Sequence, residues 1–88
     1  MISYNNKPLS REQQIFFEEI SSILDNKNEI TMSCRDFEFV VDPHGDDIEV
    51  YSKGETIAIY SDSRDFLFNH KINGKSVIEI FLDIDYSI

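Results

Sequence analysis

The chain has 88 residues, of which 41% are hydrophobic and 12% aromatic, a content too apolar for a disordered tail and suited to one domain over residues 1–88. Seventeen acidic residues against eight basic ones give a formal net charge of -9 at pH 7. This charge disfavours direct contact with nucleic acids and anionic membranes, so we expect a protein that binds neither.

The first predicted element is a helix over residues 9–25. Ser10 and Gln13 have the spacing of a capping box, in which each side chain accepts a hydrogen bond from the other residue's backbone N–H. Polar residues at positions 25–28 end the helix. Apolar side chains recur at intervals of three and four residues and form one stripe, which consists of Phe16, Phe17, Ile20, Ile23 and Leu24.

Between residues 29 and 61 the apolar residues recur at every second position, which is typical of antiparallel strands with one buried face. The alternating stretches are 30–35, 36–41, 47–51 and 56–60. Residues 42–46, with Pro43 and Gly45, predict one turn, and residues 53–55 predict a tighter one. The break at residues 35–36 has neither Gly nor Pro, so it is either a tight turn or a bulge within one long strand.

The last third returns to helical signals. Residues 61–63 offer N-cap side chains for a short helix that carries Phe66 and Leu67. Residues 73–74, Asn-Gly, predict a turn.

Residues 76–84 have two interpretations. Ser76 and Glu79 repeat the capping-box spacing, and a helix from there places four apolar side chains on one face, at positions 77, 80, 81 and 84. An alternating strand is the alternative, but it puts Glu79 and Asp83 on the same face as the large apolar residues. The helix is therefore favoured.

These elements predict an α+β fold. An N-terminal helix is followed by an antiparallel meander of three to four strands, a short helix and a C-terminal helix. We expect the helices to cover one face of the sheet, since each element must bury its apolar side against another.

The outward face of the predicted sheet is the candidate site. Alternation assigns to it carboxylates and tyrosines, a mixture that suits a protein-binding surface because tyrosine gives large contact area and carboxylates pair with Arg or Lys. The ordinary interpretation is a solvated sheet face, where Glu, Thr and Tyr are simply compatible with strands. The candidate binding residues are Asp36, Glu38, Asp47, Glu49, Tyr51 and Tyr60, with Val40, Thr56 and Ala58 among them on the same face.

Catalysis and metal binding have weak support. Cys34 shares strand parity with Ile30 and Met32, so we expect it in the core as a small apolar side chain. No motif pairs it with either histidine. The Asp-rich turn at residues 42–47 is the densest group of possible metal ligands, but its spacing matches no calcium loop or zinc motif. We therefore expect no catalytic residue, no metal and no cofactor.

These features predict a small acidic non-enzymatic module that binds a basic protein. Immunity proteins against nuclease toxins, and phage-type inhibitors that imitate nucleic-acid charge, follow this logic. The alternative is a structural or regulatory homodimer of a mobile element, which associates through an apolar edge or helix face. A single cysteine, no long apolar run and no signal-peptide pattern lead us to expect a protein of the cytoplasm. Isoleucine outnumbers leucine 13 to 4, which is typical of AT-rich genomes, and we expect a bacterial or phage source.

Overall fold

A computed structural model describes residues 2–88, and in this part of the chain two α-helices accompany a five-stranded antiparallel sheet. The helices are α1 (Arg11–Asp25) and α2 (Ser63–Asn69), and a short 3-10 helix spans Phe81–Asp83. The strands are β1 (Ser3–Tyr4), β2 (Lys7–Pro8), β3 (Ile30–Cys34), β4 (Phe37–His44), β5 (Asp47–Ser52), β6 (Glu55–Tyr60), β7 (Lys71–Ile72), β8 (Lys75–Ser76) and β9 (Asp85–Ser87).

The main sheet has the strand order β6-β5-β4-β3-β9, and all its neighbouring strands are antiparallel. The strands β3 to β6 form the predicted meander. The break that the sequence left open is a tight turn, because Cys34 pairs with Phe37 and Arg35 adopts a left-handed backbone with φ of 56°. The meander therefore has four strands. Two small hairpins, β1–β2 and β7–β8, stand apart from this sheet.

Helix α1 confirms the capping-box prediction. The N–H of Ser10 donates to Oε1 of Gln13 at 2.9 Å, and the N–H of Gln13 donates to Oγ of Ser10 at 3.1 Å. The predicted apolar stripe faces the sheet, and Phe16, Ile20 and Leu24 are buried in it. The short helix α2 is also confirmed, with Asp62 as its N-cap and with Phe66 and Leu67 buried.

Both helices cover the same face of the sheet. Their buried residues form one apolar cluster with the inward side chains of β3, β4 and β5, which are Ile30, Met32, Cys34, Phe39, Val41, Ile48 and Val50. Within residues 2–88, no element covers the opposite face of the sheet. None of the helices among residues 2–88 is long and apolar enough to cross a membrane.

The predicted C-terminal helix is wrong, and so is the alternative strand over residues 76–84. Residues 77–80 form turns, the 3-10 helix Phe81–Asp83 follows, and β9 then pairs with β3 as a fifth strand. One half of the predicted capping box is present, because the Glu79 carboxylate accepts hydrogen bonds from the N–H and the hydroxyl of Ser76, both at 2.9 Å.

Tertiary contacts hold the residues after Ser76 against the end of α2. The N–H of Val77 donates to the carbonyl of His70 and that of Ile78 to the carbonyl of Leu67, at the end of α2. Both side chains are fully buried. Ile78 lies outside the predicted apolar stripe of residues 77, 80, 81 and 84 and is nevertheless fully buried, so packing against α2 takes precedence over a helix with a single apolar face.

Candidate functional site

The outward face of the sheet is the surface opposite the two helices. None of its side chains is buried, whereas the inward residues Ile30, Met32 and Cys34 of β3 and Ile48 and Val50 of β5 are. The pairing of the strands assigns to it Thr31, Ser33, Glu38, Val40, Asp42, His44, Asp47, Glu49, Tyr51, Thr56, Ile59, Asp85 and Ser87. Five of these side chains are carboxylates and none is Lys or Arg, so the open face is strongly acidic.

Tyr51 lies among three carboxylates, which with it form what we call the Tyr51 cluster: Tyr51, Glu29, Asp42 and Glu49. The Tyr51 hydroxyl donates to the Glu29 carboxylate at 2.8 Å. Asp42 is the register partner of Glu49, two positions along β5 from Tyr51. The hydrogen bond to Glu29 is the main cause that raises the pKa of Tyr51 to about 12, and the charges of all three carboxylates add to it.

Two of the carboxylates in the Tyr51 cluster are held in place by hydroxyl groups. Besides the bond from Tyr51 to Glu29, the Thr56 hydroxyl donates to Oε1 of Glu49 at 2.6 Å. Thr56 is also the register partner of Tyr51, so these side chains sit on one face of two neighbouring strands. The cluster is thus a partly ordered group of negative charges on a rigid sheet.

The sequence missed two members of this cluster. Glu29 precedes β3, and Asp42 was assigned to a turn although it belongs to β4. The sequence did contain a signal for Glu29. It lies two residues before Thr31 and four before Ser33, so alternation places it on the same outward face. The boundary of β4 gave no such signal, because Pro43 lies within the strand at a position that usually ends one.

The predicted orientation of β6 is correct for Thr56 and wrong for Ala58 and Tyr60. Val50 pairs with Ala58 but Tyr51 pairs with Thr56, so Ile57 is an extra residue without a partner on β5. This bulge reverses the alternation that the sequence predicts, because one added residue moves all following side chains to the other face. As a result Ile57 and Ile59 are 53% and 62% exposed, while Ala58 faces the core.

Tyr60 is therefore not on the outward face. It pairs with the inward residue Ile48, and its hydroxyl lies 2.9 Å from Nδ1 of His70. Its ring contacts the Phe66 ring with centroids 5.9 Å apart. Burial, and next the charge of Asp65, raise the pKa of Tyr60.

The other candidate residues are exposed or half-exposed but dispersed. Asp36 lies in the turn before β4, and Asp47 lies at the opposite end of the sheet, opposite His44. Glu38 is four positions along β4 from Asp42, about 13 Å away, and Glu49 lies one strand beyond Asp42. The structure thus brings Glu49 and Tyr51 together and leaves Asp36, Glu38 and Asp47 outside the cluster.

A shallow depression lies beside Glu38 on the same face. It has a volume of about 280 Å³ and runs between β3, β4 and β9. A second carboxylate, Asp85, shares its lining with Thr31, Ser33 and Ser87. Acidic groups therefore extend over the outward face from the Tyr51 cluster towards β9.

The cysteine and the histidines occupy different environments. Cys34 is 4% exposed, and His44 is exposed at the end of β4. His70 is 8% exposed, and its burial among aromatic rings lowers its pKa. Among residues 2–88, no group of three or more His, Cys, Asp and Glu side chains is placed to hold a metal ion.

Comparison of the chain with protein-family models, with curated proteins and with solved structures finds no match.

Proposed function

We propose that the chain is a small cytoplasmic, non-enzymatic module that binds a basic protein through the outward face of its sheet. In the manner of an inhibitor or immunity-type protein, it would cover the surface with which the partner handles nucleic acid. The observation that carries this proposal is the Tyr51 cluster, where three carboxylates surround one tyrosine on an uncovered face.

Electrostatics supports a basic partner. The chain has a formal net charge of -9, and the Tyr51 cluster concentrates part of that charge on a surface that no helix covers. Such a concentration raises the rate of encounter with a positive surface and opposes binding of acidic proteins. A guanidinium or ammonium group would find hydrogen-bond acceptors and the Tyr51 ring in the same place.

The rigidity of the face supports binding as well. Tyr51 and Glu49 lie on β5, which is paired on both sides by β4 and β6, and both side chains already make hydrogen bonds. Less side-chain freedom is then lost when a partner binds, which favours affinity for a given contact area.

A capture experiment with matched charge variants tests the proposal. The immobilised chain is incubated with lysate of its source cells at low and moderate salt, and a captured basic protein is purified for affinity measurements. The test variant is Glu38→Lys/Glu49→Lys, on the outward face. The control is Glu18→Lys/Asp25→Lys, which changes the net charge by the same amount on exposed positions of α1, across the sheet.

We expect the partner to bind the control within about threefold of the natural chain and the test variant at least about tenfold more weakly. Equal losses for the two variants would show attraction by net charge alone and would contradict a specific outward face. Recovery of no basic protein at either salt concentration would contradict the proposal as a whole. Circular dichroism of both variants checks that the fold is intact.

A further inference from the structure

We propose that strand β6 pairs with β6 of a second copy of this chain, so that two sheets join edge to edge about a two-fold axis. This inference does not rest on the proposed function, since it concerns the edge of the sheet and not its outward face.

The first observation is that β6 is an edge strand of unusual accessibility. It has six residues and pairs with β5 on one side, and no strand of the described part of the chain pairs with the backbone groups of its other side. The opposite edge strand, β9, has three residues, of which Asp85 is charged. Proteins commonly protect an edge with short strands, Lys, Pro or a bulge; β6 has the bulge at Ile57 but carries neither Lys nor Pro.

The second observation is the apolar character of this edge. Ile57 and Ile59 are 53% and 62% exposed, and the bulge is what turns Ile59 outward and leaves Ile57 without a partner on β5. These two isoleucines lie two residues apart on the edge strand and expose their apolar side chains to water. A strand from another chain that covered them would remove this apolar surface from water, which is favourable.

Charge favours a second copy over a basic partner at this edge. Residues 56–61 are uncharged, and the only carboxylate of β6 is Glu55 at its start. A basic strand would find little to pair with here, whereas an uncharged β-branched strand matches the edge. Residues 56–61 of a second copy are such a strand.

The pairing register follows from the sequence. In antiparallel pairing about a two-fold axis, the axis can pass at Ile57, Ala58 or Ile59. An axis at Ala58 sets each Ile57 opposite Ile59 of the other copy and makes two Ile–Ile contacts. An axis at Ile57 sets Ile59 opposite Glu55 instead, and an axis at Ile59 sets Thr56 opposite Asp62. The register centred on Ala58 is therefore favoured.

Repulsion between the two acidic faces limits the dimer but does not prevent it. Glu49 lies on β5, so the two copies of this residue are separated by three strand spacings, about 14 Å. This exceeds the screening length of about 8 Å at physiological ionic strength. The remaining repulsion between chains of equal sign weakens as salt is added. Dimerisation should thus strengthen with salt, whereas binding of a basic protein should weaken.

Sedimentation equilibrium of the purified chain tests the inference, over concentrations up to about 1 mM and at low and high salt. A single pair of short strands buries less area than a standard interface, so we expect a weak dimer whose fraction rises with concentration and with salt. The test variant is Ile59→Lys, because Lys protects edges. The control is Leu82→Lys, on a side chain that is 83% exposed elsewhere on the surface.

The expected result is a dimer for the natural chain and for Leu82→Lys, and a dissociation constant at least about tenfold higher for Ile59→Lys. A strict monomer over the whole range overturns the inference. So does a dimer that Ile59→Lys leaves unchanged, because another surface would then hold it.

Cysteine cross-linking tests the register. Under mild oxidation, a mixture of Ile57→Cys and Ile59→Cys chains should form a mixed disulfide-linked dimer faster than either variant alone, because these positions oppose each other only between copies. Faster linking of Ile57→Cys or of Ile59→Cys with itself would overturn the axis at Ala58. Captured basic protein has no bearing on either result, so failure of this inference and failure of the proposed function are distinguishable.

Discussion

The hydroxyl of Tyr60 lies 2.9 Å from Nδ1 of His70, and this contact joins the end of β6 to the residue that follows α2. The His70 ring stacks on Phe66 with centroids 5.5 Å apart and contacts Phe39 at 5.0 Å. His70 is buried and Tyr60 packs half-buried against the core, so the buried Nδ1 of His70 needs this partner. Tyr60 therefore stabilises the fold, and Tyr51 is the tyrosine of the outward face.

Replacement of Tyr60 by Phe should destabilise the protein by about 1–3 kcal/mol, because Nδ1 of His70 would lose its hydrogen-bond partner in a buried site. The measurement is the free energy of unfolding in urea. Tyr51→Phe is the matched control, since it removes a hydroxyl whose hydrogen bond is exposed to water, and its effect should be smaller. A larger loss for Tyr51→Phe would contradict the assigned role of Tyr60.

Acidification from pH 7.5 to 5.5 should weaken the protein through His70. Burial lowers the pKa of His70 in the folded state below its ordinary value of 6.5. The unfolded chain therefore binds the proton first as pH falls, and stability is lost from about pH 6.5 down to the folded pKa, by at most about 1.4 kcal/mol per pH unit. Above this pH window His70 is neutral in both the folded and the unfolded state, so it causes no loss of stability there.

The control for this pH effect is His70→Asn, which has no titrating ring. Falling pH also relieves the mutual repulsion of the carboxylates, so the useful quantity is the difference between the two pH slopes of unfolding free energy. The natural chain should lose more stability on acidification than the variant. Equal slopes would show that His70 is not buried in its neutral form.

The phenol of Tyr51 should remain protonated at pH 10, where an unshifted tyrosine is half ionised, because its pKa is raised to about 12. Nuclear magnetic resonance of the labelled Tyr51 ring measures this directly. In Glu29→Gln the pKa should move down towards 10, since the main hydrogen-bond acceptor loses its charge. An unchanged pKa in this variant would contradict the contact between Tyr51 and Glu29.

The orientation of β6 after its bulge predicts that replacing two isoleucines by alanine lowers the unfolding free energy by different amounts. Ile48 is 6% exposed and faces the core beside Tyr60, so Ile48→Ala should cost about 2–4 kcal/mol of unfolding free energy. Ile59 is 62% exposed, so Ile59→Ala should cost less than about 1 kcal/mol. Urea unfolding of both variants at low protein concentration, where any dimer is dissociated, measures the contrast. Similar losses would mean that Ile59 faces the core, as simple alternation predicts.

Local patterns predicted much of the fold correctly. The capping box at Ser10, the apolar stripe of α1 and the strands from β3 to β6 all follow from interactions within a few residues of each other. The strand parity placed Glu49 and Tyr51 on the outward face for the same reason. Their role in binding a partner stays a prediction.

The sequence by itself determined an acidic α+β chain with a helix, a four-stranded meander apart from one undecided turn, and an uncovered face that carries carboxylates. Only the tertiary structure decided which side of β6 looks outward, how the chain ends and which groups surround Tyr51. The physical reason is the same in each case. The bulge at Ile57 depends on the pairing with β5, and the fate of residues 77–80 depends on docking against α2. Such contacts join distant parts of the chain, and the periodicity within a single segment carries no information about them.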